Sequence, residues 1–222
     1  AITYSVKASD VAKGYEAVVS STESGIVVTL THTPEVADIA VSAAWDDAEN
    51  QDGIRPENVT LQLKADGEAV GDGITVKADS EGNWTKTWSN LPVNKEGAVG
   101  QAVVYTVEES NLRAEYTQKT TGTAKDGFTI TNSYTPKGVD ITVSVNWDDA
   151  ENQDGIRPTD TLLQLYAYGE ALGEKVVLES ERDWTRIWAD LPKYKAGKEI
   201  VYTVVASAVN GYSVNVSGSI EE

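Results

Sequence analysis

Trp45-Asp46-Asp47-Ala48-Glu49-Asn50-Gln51-Asp52-Gly53-Ile54-Arg55-Pro56 recurs letter for letter as Trp147 to Pro158, displaced by 102 residues. Twelve identical residues do not recur by chance, so the chain is a tandem array and the period has to be read first. The matches spread outward from that stretch. Leu61 and Leu63 return as Leu163 and Leu165, Trp84 and Trp88 as Trp184 and Trp188, and Leu91-Pro92 as Leu191-Pro192. Tyr105-Thr106-Val107 returns as Tyr202-Thr203-Val204 and is preceded by Tyr4-Ser5-Val6; Glu115-Tyr116 is matched by Gly14-Tyr15 and Gly211-Tyr212. Three segments follow: 1–36, the C-terminal part of a repeat; 38–137, a complete repeat; and 139–222, a repeat lacking the strand equivalent to Phe128 to Tyr134. The joints between them are short and Pro-bounded, which favours a stiff string over free tumbling.

Inside a repeat the hydrophobic period is two. Ile39, Val41 and Ala43 alternate with Ala40, Ser42 and Ala44, and Trp45 continues the inward set. Asn50 to Gly53 makes a turn, Asp66-Gly67 is a hairpin signal, and Gly71-Asp72-Gly73 is another. Val103, Tyr105 and Val107 share a face, and Thr117 to Thr123 with Phe128 to Tyr134 complete the set. In the first segment Ile26 to Leu30 reads as a strand ended by Pro34. No helix-length window shows a 3.6-residue period. Short strands with turn signals every 8–12 residues mean an all-β chain of antiparallel β-sandwiches.

Composition narrows the function classes. The net charge of −17 repels nucleic acid and anionic lipid. No apolar run approaches the roughly 20 residues of a membrane span, so membrane insertion is not expected. Cysteine is absent, which excludes thiol chemistry and disulfides. Hydrolase, phosphate-loop and zinc signatures are missing, so no catalytic residue, metal site or cofactor is expected and an enzyme is a poor reading.

The ordered motifs resemble the Cna B-type domain, the repeated module of Gram-positive surface adhesins and pilins. They are Trp-Asp-Asp, Asn-Gln-Asp-Gly-x-Arg-Pro, Leu-Gln-Leu, Asn/Asp-Trp-Thr, Leu-Pro, Tyr-Thr-Val, Gly-Tyr and Thr-Asn-Ser-Tyr-Thr-Pro. The resemblance implies an immunoglobulin-like sandwich of the transthyretin (prealbumin-like) kind, in a wall-anchored extracellular protein whose repeats act as a stalk. It also implies an intramolecular isopeptide bond, in which a Lys two residues before the Trp attacks an Asn on the last strand. A buried Glu just after Tyr-Thr-Val relays protons.

Carried over by position, that machinery is incomplete in every segment. The complete repeat has Glu109 and Asn132 at the acid and acceptor positions but Ala43 in place of the Lys. The third segment has Val145 for the Lys and Ala206 for the Glu; the first has Ala8 for the Glu and Leu30 for the Asn. No isopeptide bond is expected. Replacement by apolar residues fits the physics, since removing one partner alone would strand a buried polar group.

Other features carry two readings each. Asp46, Asp47, Glu49, Asn50 and Asp52 could hold calcium, but the spacing is not that of an EF-hand loop. A polar turn with Arg55 paired to a neighbouring carboxylate explains them as well. Trp84/Trp88 and Trp184/Trp188 fall on one strand face, where they could stack on sugars or fill a core. Their recurrence favours the core. His32, the only histidine, reads as a solvated strand end. Two functions therefore stay open: a stalk, or an adhesive module that recognises a host protein or glycan through loops or the Trp-bearing sheet. The expected partners are neighbouring repeats, an unidentified host ligand, and other copies of the chain. In the last case, strand 26–34 of one copy would add head-to-tail beside Val143 and Val145 of another, Leu30 packing on Val145.

Overall fold

Alternating apolar residues become strands throughout the chain. The computed structural model describes residues 4–98 and 100–217. β1 (Tyr15–Thr22) and β2 (Gly25–His32) form an antiparallel hairpin whose side chains are nearly all exposed. Then come β3 (Val36–Asp46), β4 (Val59–Ala65), β5 (Glu68–Ala69), β6 (Ile74–Val76) and β7 (Trp84–Pro92). β8 (Tyr105–Ser110), β9 (Thr117–Thr123) and β10 (Gly127–Ser133) close this part. One sheet has the order β7-β3-β10-β9; the other centres on β4, with β5 and β6 along one side and β8 along the other.

The period of two appears directly as burial. Ile39, Val41 and Ala43 of β3, Val59, Leu61 and Leu63 of β4, and Phe128, Ile130 and Asn132 of β10 are buried, while their neighbours are not. Trp84 and Trp88 are 6% and 9% exposed, so this pair is core and offers no face to a sugar. One neighbouring pair departs from the antiparallel expectation. Ser42 Oγ lies 3.2 Å from Thr129 Oγ1, and Tyr134 N donates to Asp46 O at 2.9 Å. Residue numbers therefore rise together along β3 and β10, which run parallel, whereas β3–β7 and β4–β8 are antiparallel.

The later strands are β11 (Gly138–Ser144), β12 (Asp160–Ala167), β13 (Glu170–Glu179), β14 (Thr185–Pro192), β15 (Tyr194–Lys195), β16 (Lys198–Glu199) and β17 (Tyr202–Ala206). β11 pairs with β14, β12 lies between β13 and β17, and β15 with β16 makes a short hairpin. β13 is a single strand where the earlier copy has β5 and β6, and Lys175 stands there in the place of Gly73. A 3-10 turn at Ser180–Arg182 puts Trp184 in a left-handed conformation just ahead of β14, so Trp184 and Trp188 do not share one strand. Trp184 is buried all the same, against Leu163 and Leu178. No helix among the described residues is long and apolar enough to cross a membrane.

Several recurring residues turn out to be ties. Asp38 Oδ1 accepts the Asn90 N–H at 2.9 Å, and Asp140 Oδ1 accepts that of Asp190 at 2.9 Å. Tyr105 and Tyr202 each donate a hydroxyl proton to the carbonyl of Pro92 or Pro192 at 2.8 Å. The chain folds as two compact units whose division cuts across the sequence period. One holds Ala1–Ala44, Glu57–Asn111 and Lys119–Ile130; the other holds Trp45–Pro56, Leu112–Gln118 and Thr131–Glu222.

Candidate functional site

The repeated twelve-residue stretch, in both copies part of the second unit, forms a dense polar cluster. After Asp47 the backbone makes a left-handed turn through three non-glycine residues, Ala48, Glu49 and Asn50, with φ of 49°, 58° and 61°. Left-handed backbone costs L-residues roughly 1–2 kcal/mol each, so the turn needs external support. Asp47 supplies it. Its Oδ1 accepts the Asn50 N–H at 2.9 Å and Arg55 Nη2 at 2.5 Å; its Oδ2 accepts Arg55 Nε at 2.9 Å and the Tyr116 hydroxyl at 2.8 Å. Asn50 Oδ1 in turn accepts the Arg55 N–H at 2.9 Å. The guanidinium lies 5.1 Å over the Trp45 ring, which meets Tyr116 edge-on at 5.4 Å.

The second copy repeats the clasp atom for atom. Asp149 accepts from the Asn152 N–H at 3.0 Å, from Arg157 Nε at 2.8 Å, from Arg157 Nη2, and from the Tyr212 hydroxyl at 2.7 Å. Arg157 covers Trp147, which packs edge-on to Tyr212 at 4.9 Å. The Asp47 side chain is fully buried, while that of Asp149 keeps 10% exposure.

Electrostatics follow from these contacts. Burial pushes the Asp47 carboxyl up, but the bonds from Arg55, the Asn50 N–H and Tyr116 outweigh it and hold the group below its usual value. The bond to Asp47 raises Arg55 in return. Burial first, and then the carboxylate it bonds, lifts the Tyr116 hydroxyl well above the tyrosine norm. In the second copy the Arg157 bond holds Asp149 far below the carboxylate range. The acidic turn is thus folded around an internal arginine, and both oxygens of its buried carboxylate are occupied. No group of three or more candidate metal ligands occurs among the described residues.

The pairing of Arg55 with a nearby carboxylate is legible in the sequence. The tyrosine as third member is not, although Tyr116 and Tyr212 recur at matching positions and carry that signal. Tyr15, the other member of that alignment, is exposed and lies against His32, ring centres 5.1 Å apart. Trp45 and Trp147 differ from expectation as well. Both are half-buried beside the clasp, and Trp147 also packs on the core cluster of Leu163, Leu178 and Trp184.

The isopeptide positions are found on apolar or half-buried ground. Ala43 is buried on β3 opposite Trp84, and Asn132 is buried on the neighbouring β10. Glu109 is half-buried on β8, opposite Leu61 of β4. Val145 and Ala206 each pack on the cluster of Leu163, Leu178 and Trp184. Ala8 is half-buried, and Leu30 is 56% exposed opposite Ala17.

Sandwich sheets with a clasp at each turn define an all-β, immunoglobulin-like repeat module. The Cna protein B-type domain matches residues 39–133 and 141–221, and the chain belongs to that family. It is 40% identical over 199 residues to the collagen adhesin of Staphylococcus aureus, spanning 89% of this chain and 16% of that protein's length. The crystal structure of two B repeat units of the collagen-binding protein of the same organism matches at 39% identity and a TM-score of 0.46, over 92% of this chain and 52% of that one. The pilus adhesin SpaC of Lactobacillus rhamnosus GG matches at 13% identity and a TM-score of 0.37, over 83% of this chain and 21% of that one. The family assignment rests on the sequence match.

Proposed function

We propose that the chain is a spacer segment of a bacterial cell-surface adhesin, built from Cna B-type repeats that carry no internal isopeptide bond. The observation that supports this most is the packing of both Val145 and Ala206 on one apolar cluster, where the cross-link chemistry needs a lysine and a carboxylic acid. Ala43, buried opposite Trp84, removes the nucleophile from the complete repeat in the same way. A spacer role is further supported by what the chain does with its polar and aromatic groups. The clasp carboxylates are occupied by their own arginine and tyrosine, and Trp84, Trp88 and Trp184 are committed to the core. An open cleft lined by Asp46, Ala48, Glu115, Thr117 and Tyr134 is acidic and offers one aromatic ring, which does not favour the adhesive reading.

Intact-mass measurement tests the cross-link half: the mass should equal that of the sequence, and a deficit of about 17 Da per bond, one ammonia, would refute it. Immobilised collagen, the ligand in the relative's name, tests the spacer half. It should retain none of the chain, and saturable retention would return the adhesive reading.

A further inference from the structure

The two copies of the repeated stretch have identical sequence and clasp but different surroundings. Within the second unit, the first copy is covered. Asp52 Oδ2 accepts the Tyr134 hydroxyl at 2.7 Å and the Lys137 N–H at 2.9 Å, and Lys137 O accepts the Lys193 N–H at 2.9 Å. The β15–β16 hairpin then seats on the turn: Gly197 N donates to Gln51 O at 3.0 Å. A Cβ on Gly53 would lie 2.4 Å from Gly197 Cα, so this approach is open to glycine alone. In the second copy, Gly155 has the same φ of 68° as Gly53, yet a Cβ there meets nothing within 4 Å. Asp154 is exposed and bonds neither a tyrosine hydroxyl nor a backbone amide among the described residues.

The turn is thus built twice, and among the described residues a hairpin lies on the first of the two. The chain also holds a second hairpin of the right form. Leu91-Pro92-Val93-Asn94-Lys95-Glu96-Gly97 parallels Leu191-Pro192-Lys193-Tyr194-Lys195-Ala196-Gly197, with φ of 68° at Gly97 and 73° at Gly197. The anchoring bond recurs too, Val93 N donating to Glu35 O at 3.1 Å as Lys193 N does to Lys137 O. A Cβ on Gly97 meets nothing within 4 Å. Each hairpin carries a lysine two residues before its glycine, but Lys95 pairs with Asp66 of its own repeat at 2.8 Å, so the close approach of glycine to glycine, and not charge, fits hairpin to turn.

We propose that the turn at Gln153 to Gly155 is a docking seat for the Lys-x-Gly hairpin of another such repeat. In solution it takes Asn94 to Gly97 of a second copy of this chain. The contact is heterologous, one copy giving the hairpin and the next the turn, so copies add head-to-tail.

Sedimentation of the full chain over a range of concentrations tests it, with Gly97→Asn, Gly155→Asn and Gly67→Asn as variants. Asparagine tolerates positive φ, so each variant keeps its turn while placing a Cβ in the path. The unaltered chain and Gly67→Asn, whose site is also open, should form concentration-dependent head-to-tail oligomers. Gly97→Asn and Gly155→Asn should each be monomeric alone. Mixed, they should form one 1:1 dimer of doubled mass that grows no further, because each retains one working half. A chain that is monomeric at every concentration, or a mixture that stays monomeric, would overturn the seat. Oligomers that survive Gly155→Asn would also overturn it, and would point to strand addition by the exposed residues 26–34.

Discussion

Replacing Ala43 with lysine should create the covalent bond that, on the reading proposed above, the complete repeat does without. Ala43 and Asn132 lie on the buried faces of adjacent strands that run in the same direction, and Glu109 is half-buried on a strand of the other sheet. The lysine Nζ would attack Asn132 Cγ while the side-chain nitrogen leaves as ammonia, a loss of about 17 Da. The bond closes a loop of about 90 residues, which removes unfolded-state entropy worth about 4.6 kcal/mol on the loop-closure relation for cross-links. Forcing the longer side chain between Trp84 and β10 costs about 1–3 kcal/mol by overpacking. The net gain is about 2–4 kcal/mol, and Ala43→Met isolates the packing cost because it adds bulk without a nucleophile. Intact mass and urea titration of both variants are the assays. Ala43→Lys that folds yet keeps its full mass would refute the placement of these three positions.

Other consequences follow from the clasp and the core. Asp47→Ala should destabilise the chain by about 3 kcal/mol, the low end for breaking a buried pair, because the Arg55 side chain keeps 23% exposure; Asp149→Ala should cost less. Both carboxyls are held below their ordinary value in the fold, so their contribution is present above the unfolded value of about 3.9 and is lost as pH falls below it. An acid titration of Asp47→Asn should therefore be shallower than that of the unaltered chain. Trp84→Ala should cost about 3–5 kcal/mol, as for a core aromatic, and Trp45→Ala about half that, since its ring is only half-buried. Equal losses in urea titration would show that Trp45 belongs to the core after all.

The period of two, the turn residues and the twelve-residue repeat are local signals, and they make the sandwich strands readable from sequence. Leu61 and Leu63 alternate with Gln62 because one face of β4 is buried, and no distant partner is needed to see it. The parallel pairing of β3 with β10 is a long-range fact that alternation cannot carry. The clasp was half legible. Arg55 stands eight residues from Asp47 in the same turn, whereas Tyr116 arrives from another strand boundary and is visible only as a recurring Tyr. Trp184 misleads for a different reason. Its spacing to Trp188 suits a strand, but the 3-10 turn at Ser180–Arg182 absorbs the spacing and buries the ring by another route. Asp52 shows the same limit, since its value lies in the linker amide and tyrosine hydroxyl that only the fold brings to it. These two partners do more than place it. Burial and the bond to Asp52 push the Tyr134 hydroxyl up to about 12.

Pulling a single chain by its two ends tests the cross-link-free spacer most directly. Unfolding of residues 38–137 should release the full contour of that stretch, about 340 Å at roughly 3.4 Å per residue, less its folded length. A cross-link between positions 43 and 132 would withhold about 300 Å of it at the same rise. Full release is the result the account predicts, and a step short by that amount would contradict it.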